Sequence, residues 1–163
     1  MKYLKYLFLV LYIFATLLIC YKSLENGTIS SESSKEVTDT IIGSVDNILP
    51  SEEPITNKIS FDKLHILVRK LIGHFGSFLV LGMLGCLVCF LFIYEKKFSI
   101  LTTLLIGALT AILSELLQFI PDNRYPSVKD VLIDCCGYFV GIIFIGIIFY
   151  LPYYLKKNKV VSH

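Results

Sequence analysis

Residues 71–94 read LIGHFGSFLVLGMLGCLVCFLFIY, a run without Lys, Arg or any acid and with one imidazole near its start. A bilayer core is crossed by roughly 20 apolar residues at about 1.5 Å rise each. Three further blocks have the same character: about Tyr3 to Tyr21, Phe98 to Ile120 and Val131 to Leu151. Each is too long for a helix of a soluble core. Hydrophobic residues make up 55% of the chain and charged ones 17%, too little polar surface for a soluble domain of 163 residues. The predicted fold is all-α, a four-span transmembrane helix bundle.

Lys and Arg in the short loops set its orientation. Lys2 and Lys5 precede the first span, Lys96 and Lys97 separate the second from the third, and Lys156, Lys157 and Lys159 follow the fourth. These places share one side, which the rule makes the cytoplasm, so both termini are expected there. The opposite side receives the segment from Lys22 to Lys70, with six basic and eight acidic residues, and the turn from Pro121 to Asp130. The first block resembles a signal peptide, but no small-x-small cleavage site follows it and Ile19 is bulky before Cys20. It reads as an uncleaved anchor.

The expected organisation is an anchor over 1–22, an extracytoplasmic segment over 23–59, a three-helix transmembrane core over 60–151 and a basic cytoplasmic tail over 152–163. Within the extracytoplasmic segment, Ser23 to Ser34 reads as a flexible linker. Ser33 with Glu36 forms a capping box, and Val37, Ile41, Val45 and Ile48 at helical spacing predict a short amphipathic helix, stopped at Leu49-Pro50. Phe61, Leu64 and Val68 lead without a breaker into the second span.

The net charge of +2 and the placement of Lys beside apolar blocks exclude nucleic acid as a partner. Cys20, Cys86, Cys89, Cys135 and Cys136 all lie in or beside apolar blocks; an odd count there is no disulfide framework and reads as small hydrophobic filler.

Polar groups in a bilayer must be paired or hydrated, so their positions carry the most information. Arg69, Lys70 and His74 open the second span, with Lys70, His74 and Ser77 on one helical face. Ser114, Glu115 and Gln118 lie near the end of the third, with Glu115 about 7–8 Å inside Ile120 by helical rise. Arg124 and Ser127 occupy the turn. Asp130 and Asp134 stand one turn apart at the start of the fourth span, and Gly137 and Gly141 continue their face. All these groups are expected at one depth, with Glu115 ion-paired to Arg124 or Arg69 in the structural reading and His74 shifting the balance with pH. Gly137-x-x-x-Gly141, with Gly82 and Gly85, marks close helix packing. The inner halves of the spans lack polar lining.

The ordered set Arg69-Lys70-x-x-x-His74-Phe75, Leu81-Gly82, Ser114-Glu115-x-x-Gln118, Arg124, Asp130 and Gly137/Gly141 resembles the signature of the VanZ-like family. The resemblance covers roughly Ser60 to Leu151 and also fits the preceding anchor and Ser-bearing segment. One departure is visible: members often carry Asn where this chain has Asp134, which adds a negative charge. The family's named member is linked to low-level resistance to teicoplanin-type lipoglycopeptides. The resemblance therefore implies a multi-pass protein of the bacterial cell membrane, acting on the envelope or on glycopeptide susceptibility.

Three functions compete. In the first, Arg69, Lys70, His74, Ser114, Glu115, Gln118, Arg124, Asp130 and Asp134 bind a charged amphiphile at the outer leaflet: a membrane lipid, a lipid-linked wall precursor or the lipoglycopeptide itself. In the second, the chain is an enzyme modifying such a lipid, with Glu115 and His74 as general acid and base and Asp130/Asp134 on a divalent ion. No metal-ligand spacing, nucleophile elbow or phosphate loop supports it, so no metal and no cofactor are assigned. The third is a small transporter, which would need a homo-oligomer to complete a path.

Overall fold

The computed structural model describes residues 2–48, 60–93 and 96–161. Every regular element among them is helical. In chain order these are α1 (Lys2–Ser23), α2 (Gly27–Ile48), α3 (Phe61–Val68), a π-helical segment (Arg69–Gly76), α4 (Ser77–Phe92), α5 (Lys96–Leu117) and α6 (Val128–Val161). Four stretches are long and apolar enough to cross a membrane: Tyr3–Ser23, Phe61–Phe92, Lys97–Leu117 and Val128–Phe149. The chain is a multi-pass helical membrane protein.

At the centre stands α4, touching α1, α5 and most extensively α6. The small residues explain the last contact. A Cβ on Gly82 would strike the Tyr138 backbone, and one on Gly141 would strike the Leu79 carbonyl and the Met83 nitrogen. With lipid outside as apolar as any core, such close backbone approach is what makes two helices prefer each other. Tyr138, 2% exposed, fills the space beside them and packs its ring over Gly107 of α5. Its hydroxyl meets that of Tyr12 on α1 at 3.5 Å.

The outward faces stay apolar: Val10, Leu17, Leu109 and Leu132 are each more than half exposed, as lipid-facing side chains must be. The Lys96 half of α5, expected to lack polar lining, is less bare than that, since Ser99 and Thr103 are buried there; Thr110 is buried beyond mid-helix. Thr103 and Thr110 donate to carbonyls of their own helix, so their hydroxyls need no aqueous path.

The linker expected over Ser23 to Ser34 is largely helix. Asn26 caps α2, its Oδ1 accepting from the Thr28 backbone N–H at 3.0 Å and from the Thr28 hydroxyl at 2.9 Å. That cap precedes the Ser33–Glu36 box, which falls inside the helix. Hydroxyls of Ser34, Thr38, Thr40 and Ser44 bond carbonyls four residues back, which suits a Ser-rich sequence to a helix rather than a coil. Ser30, Ser34 and Thr38 face inward and Thr38 is fully buried, whereas Val37 is 43% exposed. The Leu49-Pro50 stop lies outside the described residues. Gly27 is packed against the 121–125 turn: its N–H donates to the Asp122 carbonyl at 3.1 Å, and any Cβ would collide with Asn123. Asn123 itself adopts φ 58°, a left-handed conformation Asn tolerates better than most residues. Beyond the fourth apolar block, α6 continues through the basic tail to Val161.

Gly141→Leu should wedge α4 from α6 and lower stability by about 1–3 kcal/mol. Gly146, with open space around its Cα, should accept Ala without loss. Unfolding in detergent mixtures, followed by circular dichroism, compares the two.

Candidate functional site

The second span is not one uninterrupted α-helix. Arg69–Gly76 widens into π geometry, which changes the phase of the residues it carries and commonly accompanies functional sites. Two cross-helix pairs result. Lys70 Nζ lies 3.4 Å from Asp130 Oδ1, and His74 Nδ1 lies 3.1 Å from Asp134 Oδ1. A four-residue step on the π segment thus meets a four-residue step on α6. One turn further, Gly137 sits under the Phe75 carbonyl with no room for a Cβ. The glycine seam and the polar pairs are parts of one interface. Ser77, expected on the same face, folds its hydroxyl back to the Gly73 and His74 carbonyls.

Glu115 enters from α5. Its Oε1 is 3.9 Å from His74 Nδ1 and accepts from Gln118 Nε2 at 2.5 Å. Its Oε2 accepts from the Ser127 backbone N–H at 2.9 Å, at the start of α6. Glu115, Gln118 and Asp134 are 3%, 4% and 1% exposed, so this carboxylate pair is withdrawn from both water and lipid. Ser114 is buried beside them and donates to the Ala111 carbonyl.

The expected pairing of Glu115 with Arg124 or Arg69 does not form among the described residues; its partners are Gln118, Ser127 and His74. Arg124 instead closes the junction between α1 and α2. Its Nη1 donates to the Lys22 and Ser23 carbonyls at 2.6 and 3.0 Å, and its Nη2 to Ser30 Oγ at 2.9 Å. Carbonyls at the end of α1 attract a cation there. Burial and the nearby Arg69 guanidinium lower the Arg124 pKa from its ordinary value, with Glu25 and Glu115 acting the other way. The group stays charged regardless. Asp130 pairs with Lys70, while the donors that converge within 4.8 Å of one another are those of His74, Glu115 and Asp134, each on a different element.

Two cavities adjoin this cluster. The larger, about 460 Å³, is lined by the apolar Leu18, Ile19, Val68, Ile72 and Phe78, by several serines, and by Lys22, Glu25, Arg69, His74, Gln118, Arg124 and Asp134. The smaller, about 230 Å³, is bordered by His65, Arg69, Lys70, His74, Arg124 and Asp130. Arg69 reaches both and has no acceptor among the described residues. His65 is the residue sequence reasoning missed. It is 7% exposed with Nε2 unpaired among the described residues, and its position four before Arg69 places it on that helical face.

Because Arg124 holds three acceptors in α1 and α2, Arg124→Gln should release α2 and cost about 1.5–3 kcal/mol. Hydrogen exchange should quicken at the Gly27 to Ser34 amides and stay unchanged in α4. Replacement by Lys, which offers a single point charge, should not restore protection.

A family model described as VanZ/LLP1 matches residues 8–151, most of the chain and all four spans in large part. No curated protein and no solved structure matches it. The chain belongs to the VanZ/LLP1 family.

Proposed function

We propose that this protein binds a charged amphiphile at the outer leaflet of the bacterial cell membrane, through the cavity between α1, α2 and the π segment. Both termini lie in the cytoplasm in this reading, because the Lys-bearing ends and loop fall on one side. The polar cluster and α2 then face outward. One observation carries the proposal: the lining of the larger cavity divides between apolar side chains, such as Leu18, Ile72 and Phe78, and charged ones, the cations Lys22, Arg69 and Arg124 with the acids Glu25 and Asp134. That division matches a molecule with a hydrocarbon portion and a phosphate or carboxylate head. Arg69, which has no acceptor among the described residues, is the main contact, and Arg124 adds its Nε, likewise without a partner among them. His74, Ser114, Gln118 and Asp134 line the same cavity, and Lys70, Glu115 and Asp130 pack around them. Membrane lipids, a lipid-linked wall precursor and a lipoglycopeptide all have this chemistry. A role in low-level teicoplanin resistance follows if the captured molecule is the antibiotic or its precursor target.

A second reading has its own observation. The His74–Asp134 contact with Glu115 beside it is the arrangement of an oriented acid–base pair, and His74 and Asp134 border the cavity. An enzyme modifying a bound lipid is the result. Here Glu115→Gln should abolish product formation from total bacterial lipids, read by mass spectrometry on protein in nanodiscs. A variant with wild-type turnover would remove Glu115 from the chemistry.

Native mass spectrometry of protein loaded with equal phosphatidylglycerol and phosphatidylcholine tests the binding reading. Wild type should retain the anionic lipid preferentially, and an Arg69→Gln/Arg124→Gln double variant should lose that preference by at least about tenfold, the cost of even a single charged contact. Equal retention in both proteins would end the proposal. For the cellular role, gene deletion should sensitise cells more to teicoplanin than to vancomycin. Equal shifts would separate this chain from lipoglycopeptide resistance.

A further inference from the structure

We propose that His74, Glu115 and Asp134 form a binding site for one divalent transition cation of the zinc or manganese class. One ligand atom from each residue lies within 4.8 Å of the other two. His74 Nδ1 stands 3.1 Å from Asp134 Oδ1 and 3.9 Å from Glu115 Oε1. Donors held at about 2.0–2.2 Å from a tetrahedral ion lie roughly 3.3–3.6 Å from each other. The two separations fall on either side of that spacing, so small side-chain adjustments seat an ion.

An independent observation points the same way. Asp134 Oδ2 is buried and has no hydrogen-bond partner among the described residues, although Asp134 is 1% exposed. A carboxylate oxygen left so in a dehydrated interior carries a penalty that some positive or donating group must offset. No neighbouring cation reaches that oxygen among the described residues: Lys70 faces Asp130, the Arg124 Nη atoms bond Lys22, Ser23 and Ser30, and Arg69, which borders the same cavity, is in no ion pair with Asp134 or Glu115. One imidazole balances at most one of two buried carboxylates. A dication balances both and gives Oδ2 its partner.

The surroundings of Glu115 are those of a held ligand. Gln118 fixes one of its oxygens and the Ser127 N–H the other, the kind of outer support that orients metal-binding carboxylates. A set of one nitrogen and two carboxylates suits zinc or manganese better than calcium or magnesium, which favour oxygen alone. His74 and Asp134 border the larger cavity, so remaining coordination positions are open to water or to an oxygen of a bound molecule. Sequence spacing concealed the set because its members belong to the π segment, α5 and α6.

This site is independent of the amphiphile reading, because cation uptake is measured without any anionic lipid. Chelator-treated protein in phosphatidylcholine nanodiscs is titrated with Zn²⁺ and separately with Mn²⁺, and bound metal is counted after gel filtration. One equivalent per chain of at least one of the two is expected, undisturbed by equimolar Ca²⁺. Asp134→Asn should weaken binding by at least about 100-fold, and Gln118→Ala by about 10–100-fold. Should the Asn variant fail to fold, Co²⁺ loading of the wild-type chain decides the matter. Ligand-field bands of a nitrogen–oxygen site support the proposal, and a thiolate charge-transfer band, placing the ion on Cys, overturns it. Substoichiometric uptake, or unchanged affinity in folded Asp134→Asn, also overturns it and leaves two carboxyls sharing a proton.

Discussion

Among the described residues, two carboxylates are buried within the membrane-spanning helices, and neither has water or lipid to solvate it. Glu115 and Asp134 must therefore be satisfied by neighbouring protein groups, and that requirement organises one end of the bundle. Glu115 takes donors from its own helix end and from the start of α6. Asp134 takes His74 from the π segment. Removing water from such a set makes each contact stronger and each missing contact costlier. The helices can be close enough to make them because glycines further along admit backbone against backbone. Gly82, Gly137 and Gly141 have no space for a side chain, and the seam they form ends in the Lys70–Asp130 and His74–Asp134 pairs. Packing and polarity support one another.

The four spans were legible because a bilayer imposes length and apolarity on any helix that crosses it. The depth of the polar residues was legible for the same reason: Glu115 and Asp134 stood out against their surroundings, and the structure brings both beside His74. Partner choice was not. Sequence gives the height of a residue along a helix but not the rotation of one helix against another. Glu115 thus looked ready for Arg124, while Arg124 turned to the α1 carbonyls.

The π segment was invisible because nothing in RKLIGHFG breaks α periodicity; the wider turn coincides with the two contacts that Lys70 and His74 make to α6. The start of α2 was misplaced by a rule that favours Ser. Asn26 caps equally well, and the hydroxyls taken as signs of a linker close on their own helix. Gly107 carried no pattern of its own. Its purpose is set by the Tyr138 ring, which belongs to another helix.

The larger cavity owes its form to all of these features together. α1, α3, the π segment and α4 supply apolar lining, Arg124 ties α1 to α2, and His74, Gln118 and Asp134 of the buried cluster border it. Every functional reading of the chain depends on His74 and Asp134 meeting across two spans inside a lipid bilayer. Magic-angle-spinning NMR on protein labelled at the His ring nitrogens and Asp carboxyl carbons, in lipid membranes, measures that meeting directly. A strong dipolar coupling between His74 Nδ1 and the Asp134 carboxyl carbon, in keeping with the 3.1 Å nitrogen–oxygen contact, is the predicted result. A coupling too weak to detect, with the rest of the bundle folded, would contradict the account.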